Sequence, residues 1–328
     1  MRDRYQREIR DLRLSVTGHC NYRCVYCRAG AGNGALPAEL SWEDLESIAR
    51  AFVALGIRKI RLTGGEPLLR PGLAEFAVRL RELPLEDVAL TTNGHLLAAH
   101  AAALRAAGIH RVTISLDSLQ GDKFARITRV PGSLPHVMAG IEAACAAGLG
   151  PVKVNAVLLR GFNDDEIEAF AALARQGQVV VRFIEYMPLG EGQVWSRDLV
   201  VPLAEILARL ADSYPVVELP RAPSETARRF RFADGAPGEI GIIAPVTEPF
   251  CGQCSRIRVT ADGKIRTCLF SLREWDLTAS LRAPGGAAAR QAALEAQILR
   301  AVERKEARHH IGEPGFIHPD RGMVQIGG

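Results

Sequence analysis

The chain has 328 residues, 48% of them hydrophobic, enough for one large core or two modest ones. Its 41 basic and 37 acidic residues leave a formal net charge of +4, and no long run of like charges occurs, which argues against a nucleic-acid partner. The charged start, MRDRYQREIRDLRLS, has no signal-peptide core, and no window approaches the roughly 18 apolar residues of a membrane span. A soluble cytoplasmic protein with no membrane partner is the expectation. In that reducing compartment the seven cysteines read as metal ligands or catalytic thiols rather than disulfides.

Short β-branched runs alternate with longer amphipathic stretches from about residue 10 to 190. Strands are expected at Asp11–Thr17, Lys59–Thr63, Asp87–Thr92, Arg111–Leu116, Val152–Leu158 and Val179–Glu185. Helices are expected between them at Leu45–Leu55, Leu73–Leu83, Leu97–Ala107, Leu134–Ala147 and Asp165–Gln176. Ser41 with Asp44 forms an N-terminal capping signal, and Gly56, Gly108 and Gly148 stand at C-terminal cap positions. Six strand–helix units imply an α/β fold with a parallel sheet, short of the eight units of a closed barrel. The expectation is an incomplete (β/α)6 barrel spanning residues 1–215, with ligands at the carboxyl ends of its strands. Residues 216–328 form the second segment: a Pro/Gly/Arg-rich stretch at Pro215–Gly241, read as loops with a short strand pair, then a helix at Ala287–Arg308, packed over the barrel's open side.

Six cysteines fall into two triplets, Cys20-x3-Cys24-x2-Cys27 after the first strand and Cys251-x2-Cys254-x13-Cys268 in the second segment, leaving Cys145 over. Three thiolates can hold an iron–sulfur cluster with one iron open to a further ligand. Structural zinc, which takes four protein ligands, is the alternative for either triplet. Gly64-Gly65-Glu66-Pro67 after the second strand reads as an ordinary β–α turn or as a close-approach loop. Arg256 and Arg258 share one side of an extended segment, where guanidinium forks suit phosphate or guanine-type recognition; a solvated charged strand is the plainer reading. His309, His310 and His318 have no metal-like spacing and read as surface or tail packing.

The first triplet, with Tyr26 before its last cysteine, and the Gly-Gly-Glu-Pro loop resemble the signature of the radical S-adenosylmethionine (SAM) superfamily. The blocks DLRLSVT, IRLTGGEP, LTTNG, ISLDS, VKVNAV, RFIEYMPLG and SRIRVTADGKIRTCLF, and the terminal Gly327-Gly328, resemble the GTP 3′,8-cyclase family of molybdenum cofactor biosynthesis, from Asp11 to the last residue. The resemblance implies two [4Fe–4S] clusters, one on Cys20, Cys24 and Cys27 that binds SAM, the other on Cys251, Cys254 and Cys268 that binds the guanine of GTP. It places Tyr26, Gly65, Ser115 and Met187 at SAM. It places Arg13, Arg61, Thr91, Lys153, Arg256, Ile257 and Arg258 at GTP, with Lys59 and Arg182 as weaker candidates. Arg256, Arg258, Gly327 and Gly328 are its candidates for late catalytic steps. The implied chemistry is hydrogen abstraction from ribose C3′ by a deoxyadenosyl radical, followed by attack on guanine C8. An electron donor such as a flavodoxin and a downstream cyclic pyranopterin monophosphate synthase are the implied partners, with the chain a monomer or homodimer. A peptide-modifying radical SAM enzyme and a zinc scaffold are the rival readings. Two departures from the family pattern stand near the first triplet: Gly18-His19 before Cys20, and the loop Arg28–Gly34 after Cys27.

Overall fold

The computed structural model describes residues 1–27, 37–189, 195–222 and 224–327. The expected alternation is present. Strands β1 (Asp11–Ser15), β2 (Lys59–Thr63), β3 (Asp87–Thr92), β4 (Arg111–Ser115), β5 (Lys153–Leu158) and β6 (Val180–Glu185) pair in parallel in chain order. Between them run helices α1 (Trp42–Ala54), α2 (Leu73–Leu80), α3 (Leu97–Ala106), α4 (Gly121–Thr128), α5 (Leu134–Ala146) and α6 (Ile167–Arg175). Ser41 caps α1 by accepting the Asp44 N–H at 3.1 Å, as its position suggested. Helix α4 was not anticipated: GDKFARIT is mostly polar and buries Phe124, Ile127 and Thr128 alone. Helix α7 (Leu203–Ser213) also went unread, because its helical spacing begins after the counted repeat.

The second segment is built into the same sheet. β7 (Val216–Glu218), β8 (Arg228–Phe232) and β9 (Glu239–Ile243) attach beyond β6, with β9 parallel to it. β10 (Arg256–Val259), β11 (Lys264–Arg266) and β12 (Trp275–Asp276) attach beyond β1, with β10 parallel to it. Among the described residues the sheet therefore has twelve strands, and the run from β10 through β1–β6 to β9 is parallel throughout. Helices α8 (Thr278–Leu281), α9 (Gly286–Glu303) and α10 (Met323–Ile326) complete the chain. No described helix is long and apolar enough to cross a membrane.

One main core joins the sheet to its helices. Leu12, Leu14, Ile60, Leu62, Val154, Ala156, Val181 and Phe183 point toward α1, α2, α5 and α6 residues such as Phe52, Phe76, Ile141 and Phe170. The alternate positions Arg13, Arg61, Lys153 and Arg182 are therefore left on the sheet's other face. A smaller apolar cluster of Leu189, Val200, Val246, Phe270, Ile311 and Ile326 gathers the second segment's loops near the chain's end.

Glu185 ties these parts together. It is fully buried at the end of β6. Its carboxylate accepts the N–H groups of Leu203 at 3.2 Å, Val246 at 2.8 Å and Thr247 at 2.9 Å, and the Thr247 hydroxyl. Each buried donor left unpaired costs about 1–3 kcal/mol. Glu185→Ala should therefore lower stability by about 3–5 kcal/mol, read as a fall in denaturant midpoint at unchanged m-value; a shift below about 1 kcal/mol would show that the junction is held by apolar contact alone.

Candidate functional site

A cavity of about 580 Å³ lies against the polar face of the sheet. Its wall is made by loops that follow β1, β2, β3 and β4, by inward side chains of the strands, and by the second segment. All six cysteines of the two triplets line it, each partly exposed.

The first triplet sits in the loop after β1, and the Gly-Gly-Glu-Pro loop holds that loop in place. Gly65 N–H donates to Thr17 O at 2.8 Å and Glu66 N–H donates to His19 O at 2.7 Å. A Cβ on Gly65 would stand 2.2 Å from His19 O, and one on Gly64 would stand 2.4 Å from Thr17 O. Both glycines are thus required by the close approach of two backbones, besides facing the cavity. Glu66 extends the brace. Its buried carboxylate accepts Asn93 N–H at 2.6 Å, Leu68 N–H at 3.0 Å and the Thr92 hydroxyl at 2.8 Å, and Asn93 in turn donates to Asn21 Oδ1 at 2.7 Å. Burial pushes Glu66 up to about 7 against those three bonds.

Tyr26 reaches from the triplet to β4's loop, its hydroxyl donating to Asp117 Oδ2 at 2.6 Å; Asp117 Oδ1 accepts Val157 N–H at 2.8 Å. Burial raises Asp117 to about 6, with these two bonds opposing. Ser115 and Met187 also face the cavity.

The cations line up by strand register. Arg13 on β1 stands between Arg258 on β10 and Arg61 on β2, each a direct cross-strand partner. Arg61 donates to the hydroxyls of Thr91 at 3.2 Å and Thr113 at 3.1 Å. Lys153 pairs with Thr113 in register, and Arg182 donates to Asn155 Oδ1 at 2.9 Å and Thr113 Oγ1 at 3.3 Å. Burial, then repulsion from Arg258, Arg256, Arg61 and Arg182, holds Arg13 well below its ordinary value. Burial likewise lowers Arg61, Arg182 and Arg258. Lys153 falls to about 8 through burial and then repulsion from Arg182, Arg111 and Arg61. Arg256 differs: despite burial it is raised, by the Cys254 sulfur that it faces. A row of mutually repelling cations is a site for a polyanion, with guanidinium forks suited to phosphate.

The other expected residues divide. Thr91 and Lys59 line the cavity. Ile257 corrects the expectation for its side chain, which is fully buried in the core on the opposite face of β10 from Arg256 and Arg258. Gly327 ends α10 with φ 72°, its Cα against Ser15 and Thr63, and its carbonyl accepts a bond from Arg258 Nη1. Gly328 and the Arg28–Gly34 loop lie outside the described residues. Thr113 and Asn155 were missed, although the signal was available, since they fall on the same strand face as Arg61, Lys153 and Arg182.

The thiols suit cluster ligation: each triplet presents three cysteines to one cavity, the soft thiolate donor set that iron–sulfur clusters take.

A parallel α/β sheet whose first strand leads into a Cys-x3-Cys-x2-Cys loop over a ligand cavity defines a radical SAM enzyme, and the Radical SAM superfamily model matches residues 14–174. The Molybdenum Cofactor Synthesis C model matches residues 179–311. The chain is 47% identical over 317 residues to GTP 3′,8-cyclase of Acidothermus cellulolyticus, covering 94% of this chain and 87% of the relative. It is 45% identical over 333 residues to that of Pelotomaculum thermopropionicum, covering all of both. The chain belongs to the GTP 3′,8-cyclase family. In fold it is similar to Streptococcus suis SuiB bound to precursor peptide SuiA (TM-score 0.63, 12% identity, 96% of this chain and 76% of that one). It is similar also to anSMEcpe with bound AdoMet (TM-score 0.58, 15% identity, 81% of this chain and 77% of that one).

Two outcomes follow from this geometry. Gly65→Ala should displace the Cys20 loop, so that anaerobically reconstituted protein carries about four irons in place of about eight; full iron content would show that the loop tolerates the side chain. Guanidiniums stay protonated, so Lys153 is the cation that titrates. Affinity for inorganic triphosphate should be level below about pH 8, where Lys153 is already charged in the free protein. Above that it should decline, because binding must then take up a proton. Lys153→Met should flatten this profile in calorimetric titrations, and an unchanged profile would remove Lys153 from the anion site.

Proposed function

We propose that this chain converts GTP to (8S)-3′,8-cyclo-7,8-dihydroguanosine 5′-triphosphate, the first step of molybdenum cofactor biosynthesis. The observation that carries the reading is the in-register row Arg258–Arg13–Arg61, continued by Lys153 and Arg182, beside both cysteine triplets in one cavity. Cys20, Cys24 and Cys27 would hold one [4Fe–4S] cluster, and Cys251, Cys254 and Cys268 a second. The first, with SAM bound, supplies the electron that releases a hydrogen-abstracting deoxyadenosyl radical.

The chain's own residues bind, orient and exclude. The cation row neutralises the triphosphate, and Thr91, Thr113 and Asn155 hold the guanidiniums of Arg61 and Arg182 by hydrogen bonds. With the triphosphate anchored along the strands, the nucleoside extends toward the carboxyl-end loops, where Tyr26, Gly65, Ser115 and Met187 face the SAM side of the cavity. Arg258 acts in both directions, lining the cavity and holding the Gly327 carbonyl, so the tail is fixed at the site. Positioning is the main catalytic contribution: only C3′ is to be exposed to the abstracting group, and C8 is to stand within bonding reach of C3′. One hydrogen leaves C3′, a C3′–C8 bond forms, and one electron and one proton complete the product, an isomer of GTP.

Residues 1–215 supply the SAM half, curved as an incomplete barrel, and residues 216–328 the second cluster's ligands. The protein works in the cytoplasm as a monomer or homodimer, draws electrons from a donor such as a flavodoxin, and passes its product to cyclic pyranopterin monophosphate synthase. The decisive assay is anaerobic incubation of the two-cluster protein with SAM, dithionite and GTP, analysed by mass spectrometry. Joint formation of 5′-deoxyadenosine and a GTP isomer is expected. Deoxyadenosine without a nucleotide product would overturn the substrate assignment, and neither product from fully loaded protein would overturn the reaction class.

A further inference from the structure

Two buried cations lie behind the second triplet, outside the cavity. Arg7, 7% exposed, is matched by Asp3, 3% exposed, with Nε–Oδ2 at 2.6 Å. The rest of its guanidinium donates to the carbonyls of Cys251 at 2.8 Å, Ala307 at 2.9 Å and Glu306 at 2.5 Å. This pair is internally neutral and laces the N-terminus to the triplet.

Lys305, 2% exposed just beyond α9, is different. Its ammonium donates to Arg256 O at 3.0 Å and to Thr267 O, bridging the segment that follows Cys254 and the one that precedes Cys268. Among the described residues it makes no ion pair with a carboxylate. The adjacent Glu306 spends its two oxygens on Thr267 Oγ1 and Ser271 Oγ, both at 2.6 Å. Burying an ammonium costs several kcal/mol unless negative charge stands nearby. Two sources of negative charge stand near it: the Glu306 carboxylate, tied to the Thr267 and Ser271 hydroxyls, and the second triplet's thiolates, beside the carbonyls that Lys305 holds.

We propose that Lys305 is the resident counter-charge for the cluster on Cys251, Cys254 and Cys268, and that it sets that cluster's reduction potential from behind the cavity wall. The proposal rests on the reading of those cysteines as cluster ligands. A three-thiolate cluster is negative and becomes more so on reduction, so a fixed buried cation favours the reduced form. Arg256 is also positive, but it lines the cavity, where substrate competes for it. Lys305 does not line the cavity and keeps its charge on the cluster throughout turnover. It is a positioning and tuning residue, with no contact to substrate.

The test is an EPR-monitored redox titration with iron analysis of reconstituted wild type, Lys305→Arg, Lys305→Gln and Lys305→Met. The second cluster is also followed alone in chains whose first triplet is Cys→Ser. Gln keeps donors for the two carbonyls without the charge, and Arg keeps the charge. The expected result is a second-cluster potential that moves to more negative values in Gln and Met alike and stays near wild type in Arg, with the first cluster unmoved. Loss of the second cluster in Gln and Met with retention in Arg is the same charge dependence in stronger form. An unmoved potential in Gln, or an Arg variant that shifts or loses the cluster as Met does, overturns the proposal and leaves Lys305 a packing residue. Wild type that holds one cluster overturns the ligand reading and the proposal together, whereas two clusters with an unmoved potential overturn the proposal alone.

Discussion

The parallel pairing of β10 with β1 is the constraint on which the site depends. Asp11–Leu14 and Arg256–Val259 are joined residue for residue, although about 245 positions separate them in the chain. That register sets Arg258 beside Arg13, and through β1's other edge beside Arg61. It also carries the second triplet, which flanks β10, to the cavity that the first triplet enters from the loop after β1. A slip of one residue would turn Arg256 and Arg258 into the core and bring Ile257 to the ligand. The buried side chain of Ile257 is the packing anchor that forbids the slip.

The cation row has an energetic cost that the ligand-free protein carries. Lys153 holds its proton less tightly when folded than when unfolded, so at neutral pH its charge opposes folding. That penalty is complete below about pH 8 and is relieved as pH rises toward the unfolded lysine's value. A bound polyanion removes the same penalty without a pH change, which couples site occupancy to stability. The surrounding scaffold meets the cost with the continuous apolar face of the parallel sheet and with braces such as Glu185 and Glu66, whose carboxylates gather backbone donors from separate loops.

The two triplets are held by different means. Around the first, backbone contact and buried acids do the holding: the glycine loop, the Glu66–Asn93–Asn21 chain, and Tyr26 on Asp117. Around the second, buried cations sit close by, with Arg256 on the cavity side and Lys305 behind. The different charge environments point to different electrostatic tasks for the two triplets.

Much of this was legible in one dimension. Period-two runs marked β2 and β3 at their observed ends, and the cysteine spacings picked out the two triplets that line the cavity, because strand periodicity and short cysteine spacings are written within a few residues. Helix α4 was hidden by its polar composition, and of the C-terminal strands the sequence offered a short pair within Pro215–Gly241 and the extended segment at Arg256–Arg258, without their places in the sheet. Thr113 and Asn155 were missed because neutral residues carry no motif until a register sets them beside cations. The buried Lys305 looked like one more charge at a helix end. By itself the sequence determined the alternating elements, the thiolate triplets and the family. The tertiary structure alone decided which residues share the cavity, which face Ile257 takes and which cation is left without a carboxylate, because those follow from pairings between segments far apart in the chain.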